Sequence, residues 1–152
     1  MTAADPDSYL EGGPHQVITL DDVSRIASAL PGAIVHPDGH SFAALRGGKQ
    51  KGFAWVWMQR VDPKKPKVPC TDVLAVRVAG EAEKQMLLAA APSKFFTEAH
   101  YNGFPAILVR LEKVDEDEFI ELLTDAWGCV VPARVRNAYV ANKLKVDAED
   151  AP

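Results

Sequence analysis

Apolar positions first recur at helical spacing in Leu20, Val23, Ile26, Ala27 and Leu30. Thr19 stands where a cap belongs, Asp21 and Asp22 suit a first turn, and Pro31-Gly32 stops the pattern. The period then changes to two. Ala33 to His36, Pro37-Asp38-Gly39 and His40 to Arg46 read as a β-hairpin, and Gly47-Gly48 marks a second turn. From Gly52 to Arg60, Phe53, Trp55 and Trp57 alternate with Ala54, Val56 and Met58, which predicts a strand apolar on both sides. Alternation places the three aromatics on one face, and that face reads as core.

Three prolines and three lysines between Asp62 and Pro69 predict an exposed loop. Val73 to Val78 resumes as a strand, and Ala79 to Ala91 reads as a helix ended by Pro92. Phe95-Phe96 suits a short strand, His100 to Pro105 a loop around Gly103, and Ala106 to Leu111 another strand. Asp115 caps a helix whose inner face is Phe119, Leu122, Leu123, Ala126 and Trp127, with Gly128 as its end. Pro132 opens a last helix. Strands come in a run, without regular βαβ alternation, so the fold class is α+β: a small antiparallel-rich sheet with helices packed on it. Residues 1–18 read as a disordered tail, 19–145 as a single domain and 146–152 as an acidic tail.

Composition narrows the class. The chain has 152 residues, 47% of them hydrophobic, enough for one domain with its own core. No apolar run approaches the roughly 18 residues of a membrane span, and the acidic start does not resemble a secretory leader. Cys70 and Cys129 belong to no CxxC pair, which fits reduced thiols and a cytoplasmic chain. The net charge of −4 is unevenly spread. Seven cations between Arg46 and Lys67 face one acid, Asp62, while Glu112 to Asp125 holds seven acids and one base, Lys113. Such a charge dipole presents a basic surface to phosphates despite its acidic total.

No nucleophile elbow, P-loop or metal-ligand set is present. His36 and His40 flank Asp38 but lack further partners. Neither an enzyme nor a cofactor is implied. Two groups of residues carry the binding chemistry instead. Lys49, Lys51, Arg60, Lys64, Lys65 and Lys67, with Arg134 and Arg136, form two basic stretches that suit a polyanion. His100, Tyr101 and Asn102, with Arg110 and Trp127, gather hydrogen-bonding and aromatic groups around a loop. Each has a plainer reading: a solvated loop for the lysines, a hairpin turn at Gly47-Gly48-Lys49, loop bracing for His100 and Tyr101, and a local carboxylate partner for Arg110.

The run FFTEAHYNGFPAILVRL from Phe95 to Leu111 resembles the central signature of the MmcQ/YjbR family. The acidic helix running to Ala126-Trp127, the proline-led helix at Pro132 and the Gly47-Gly48-Lys49 to Trp55 stretch fit the same family over roughly residues 20–140. The resemblance implies a double-wing α+β fold. It also implies the DNA-binding label that members commonly carry, with no catalytic motif. The expected function is therefore a non-enzymatic module that binds DNA or another polyanion through residues 46–67. The alternative is a small-molecule or protein-partner domain with its site around His100 to Phe104.

Overall fold

A computed structural model describes residues 17–150, and side chains through Lys145. Of the expected tails, 1–18 and 146–152, residues 1–16 and 151–152 lie outside the described residues. The elements in order are α1 (Leu20–Ser28), β1 (Ala33–Val35), β2 (Ser41–Arg46), β3 (Lys49–Gln59), β4 (Val68–Arg77) and α2 (Glu81–Ala90). Then come β5 (Phe95–Phe96), a 3-10 turn (Ala99–Tyr101), β6 (Ala106–Arg110), α3 (Glu116–Val130) and α4 (Ala133–Asp150). The six strands form one antiparallel sheet in the order β1-β2-β3-β4-β6-β5. The fold is α+β, as the pattern predicts.

Local chemistry sets the helix ends. The Thr19 side chain accepts from Asp22 N, and the Asp22 carboxylate accepts from Thr19 N at 2.9 Å, which is a reciprocal capping box. Asp115 caps α3 by accepting from Glu118 N at 2.8 Å. Gly128 does not end α3; the helix continues to Val130. Val131 turns extended because Pro132 follows it, and that stops the helix. Gly128 has a packing reason instead: an added Cβ would sit 3.0 Å from Arg136 Cδ. The last helix carries on past Val146 to Asp150.

The helices lie on one face of the sheet. Phe42, Ala44, Ala54, Val56, Leu74, Val76, Ile107 and Val109 meet Val23, Ile26, Phe119, Leu123 and Trp127 there in one core. The opposite face holds a smaller cluster of Val73, Ala75 and Leu108, roofed by Trp55, Trp57, Phe96 and Tyr101 rather than by an α-helix.

A bulge decides where the aromatics of β3 go. Phe42 pairs with Ala54, but Ala43 pairs with Gly52, so Phe53 is the extra residue. Phe53 joins the helix-side core, while Trp55 and Trp57 take the other face. The expectation that all three share one core face is therefore corrected. Strand β4 also begins earlier than expected, at Val68, with Pro69 opposite Met58.

Candidate functional site

The helix-free face is built from β3, β4, β6 and the segment 95–104. Register places Trp55 beside Ala75, and Ala75 beside Leu108. These small and branched side chains leave room above them, which the aromatics fill. Trp57 meets Phe96 edge-on at 5.7 Å, and Trp55 meets Phe104 at 6.1 Å. Tyr101 contacts Phe104 and His100 at 6.2 Å each. Such edge-to-face geometry is the preferred one for aromatic pairs. Two guanidinium groups lie in the same layer. Arg110 sits 4.1 Å above the Phe96 ring and Arg77 5.6 Å from the Phe104 centroid.

The loop that carries Tyr101 and Phe104 is fixed from beneath. Tyr101 N donates to Glu98 O at 2.8 Å, Phe104 N donates to Tyr101 O at 3.0 Å, and Gly103 takes a positive φ of 77°. Trp55 Nε1 donates to the Tyr101 hydroxyl at 3.1 Å, tying the loop to β3. Lys84 of α2 is only 1% exposed, and its ammonium donates to Tyr101 O at 2.6 Å and Phe104 O at 2.9 Å. Among the described residues it is the one buried charged side chain. Such burial is rare unless hydrogen bonds replace water.

A cleft of about 300 Å³ opens where this loop faces β3. Its walls are Trp55, Trp57, Met58, Lys67, Glu98, His100 and Tyr101. That volume is at the lower end of small-ligand sites. The loop before β4 forms one rim. Lys64 N donates to Asp62 Oδ1 at 2.9 Å and Arg60 Nη1 to Lys65 O at 2.6 Å, so the backbone there is braced. Lys64, Lys65 and Lys67 remain exposed.

The structure thus draws members from both sequence-derived groups and separates others. Lys67 stands in the cleft with His100 and Tyr101. Asn102 is exposed at the loop tip. Among the described residues Arg110 pairs with no carboxylate; it stacks on Phe96, and its Nη1 is buried with no hydrogen-bond partner there. Trp127 is not part of this site. It is fully buried in the helix-side core, donates to Pro31 O at 2.8 Å and packs on Tyr139 at 5.2 Å. Lys51 pairs with Ala44, a helix-side core residue, so it points away from Trp55 and Trp57. Lys49 lies opposite Arg46 at the far end of the same hairpin. Arg136 donates to Gly128 O at 3.1 Å in the helical layer, and Arg134 lies on the same helix. The two basic stretches therefore do not converge on one cleft. Arg77, Phe96 and Lys84 were not among the residues that the sequence singled out, because no local motif marks a residue that matters through cross-sheet contact.

The helical side carries two further hollows. One, of about 540 Å³, runs between α2 and α3 and is lined by Glu83, Asp115, Glu118, Glu121 and Asp125, with Lys94 held on Glu118 at 2.9 Å. The other contains Glu83, Asp125, Cys129 and Arg136. Burial, then Glu83 and Glu121, push the Asp125 carboxyl up. Burial, then Glu83, push the Cys129 thiol up, which keeps it protonated and a poor nucleophile.

Comparison with known proteins places this architecture. The YjbR family model matches residues 28–129. The chain belongs to the YjbR family. Uncharacterised proteins of Mycobacterium tuberculosis (Rv2570) and Mycobacterium bovis (Mb2600) are each 33% identical to it over 130 residues, covering 82% of this chain and 97% of theirs. The crystal structure of Deinococcus radiodurans DR2400, a DUF419 protein, superposes with a TM-score of 0.53 at 20% identity, over 73% of this chain and 77% of that one. That likeness bears on the fold alone. Among the described residues of this family member, no helix is long and apolar enough to cross a membrane.

Proposed function

We propose that this protein is a non-enzymatic binding module for nucleic acid or another polyanion, with its site at the cleft on the helix-free sheet face. The observation that carries this reading is the meeting of Lys67, His100 and Tyr101 with Trp55 and Trp57 in one cleft. Lys64 and Lys65 are exposed in the same loop as Lys67, and Arg77 and Arg110 place two more cations in the aromatic layer. Phosphates supply the opposite charge, and cation contacts of this type release counterions on binding. Two free cysteines, each partly buried, suit a reducing cytoplasm.

The test is anisotropy of a labelled oligonucleotide across a salt series from about 50 to 200 mM. Affinity is expected to fall steeply with salt, and Lys64→Glu/Lys65→Glu/Lys67→Glu is expected to remove most of it. Salt-independent binding, or no effect of the triple change, would overturn the assignment. A second reading is favoured by the size of the cleft. At about 300 Å³ it also fits a small aromatic ligand, which would compete with the oligonucleotide.

A further inference from the structure

We infer that the cleft takes unpaired bases, so that the partner is single-stranded nucleic acid rather than duplex. This deepens the polyanion reading and rests on it. Trp55 and Trp57 flank the cleft two residues apart on one strand. Both indoles lie in the lining of the cleft, so each offers ring surface to an inserted base.

The polar groups around the cleft suit a base more than a bare phosphate. Glu98 stands in the wall as an acceptor, the partner that an exocyclic amine requires, and it would repel an isolated anion. His100 and Tyr101 add ring surface and hydrogen-bonding edges on the opposite wall. Lys67 sits at the rim next to Lys64 and Lys65, where the backbone of a strand whose base is inserted would pass. Bases in a duplex are already stacked and paired, so they cannot enter such a cleft without the cost of flipping. Stacking platforms beside a positive rim are how sequence-tolerant single-strand binders work. The cations in the aromatic layer also disfavour a second copy of this chain as the occupant, since the two faces would bring like charges together.

The experiment compares labelled oligo-dC, oligo-C, a duplex of matched length, and an abasic strand with the same phosphates. All are titrated at about 50 mM salt. The intact single strands are expected to bind at least about fivefold tighter than the abasic strand and the duplex, since stacking one base is worth roughly 5- to 150-fold. Oligo-dC and oligo-C, which share one base, differ only if the sugar is read. Trp57→Leu is expected to bring the ratio of intact to abasic affinity toward one. Trp57→Phe, which keeps a ring, is expected to restore most of it. If Trp57→Leu fails to fold, the four wild-type titrations decide alone. Equal affinity for all four ligands with a common salt slope overturns the base-insertion inference and leaves the polyanion reading standing. Tighter binding to duplex overturns it too. No binding to any ligand ends both.

Discussion

The Lys84 ammonium donates to the carbonyl of Tyr101 at 2.6 Å, joining a helix on one side of the sheet to the loop that shapes the cleft on the other. A second bond, to Phe104 O at 2.9 Å, spans the same loop. Lysine is suited to this because one ammonium has three donors and a stem long enough to reach from α2.

Removing that charge is expected to loosen the loop before it unfolds the domain. Lys84→Met keeps the stem but leaves both carbonyls without their donor. A loss of about 1–3 kcal/mol is expected in denaturant unfolding. Amide exchange should quicken from Glu98 to Phe104 more than in β3 or β4. Uniform quickening across the sheet would show that Lys84 supports the whole core rather than the loop.

The start of α1 is expected to be acid-sensitive. The backbone hydrogen bond from Thr19, then its hydroxyl, holds the Asp22 carboxyl below its ordinary value near 3.8. A depressed folded value means that the stabilisation is present above the unfolded value and is lost as pH falls through the folded one. Asp22→Asn should therefore lower the melting temperature most near pH 6, and the gap from wild type should narrow as the pH falls below 3.8. Thr19→Ala should cost about 1 kcal/mol at neutral pH. A constant Asp22→Asn gap from pH 6 to 2 contradicts the capping assignment.

Cys129 is expected to be slow to alkylate. Its thiol is pushed up by burial and by Glu83, so less thiolate is present at a given pH than in an open chain. With iodoacetamide at about pH 8, below the free thiol's usual value, the peptide containing Cys129 should gain label more slowly in the folded protein than in urea. Equal rates would show that neither burial nor Glu83 restrains it.

Gly128 and Arg136 are expected to be coupled. In an exposed helix interior, glycine to alanine stabilises by about 1 kcal/mol. Here the new Cβ would press on Arg136, whose Cδ would be 3.0 Å away and whose guanidinium holds Gly128 O. Gly128→Ala should be near neutral in wild type and stabilising by about 1 kcal/mol on an Arg136→Ala background. Equal effects on both backgrounds would remove Arg136 as the reason for a glycine there.

Much of this fold was legible along the chain. The Thr19 and Asp115 caps, the turns at Pro37-Asp38-Gly39 and Gly47-Gly48, and the element order each depend on neighbours a few residues apart. The Phe95 to Leu111 run pointed to the family. The site was only half legible. His100, Tyr101 and Lys67 stood out by residue type. Trp127 looked equivalent to Tyr101, yet it faces the other side of the sheet and is buried.

What the sequence determined by itself is the short-range order: periodicity, caps and turns are set by bonds that close over three or four residues. Which face each strand shows was left to the tertiary structure. A single bulge at Phe53 sends that ring to the helices and the two tryptophans to the open side, because an extra residue reverses the alternation that follows. Lys84 is the same case across a longer gap. It reads as a surface lysine until α2 packs and brings it to two carbonyls, 17 and 20 residues away, that stand in for water.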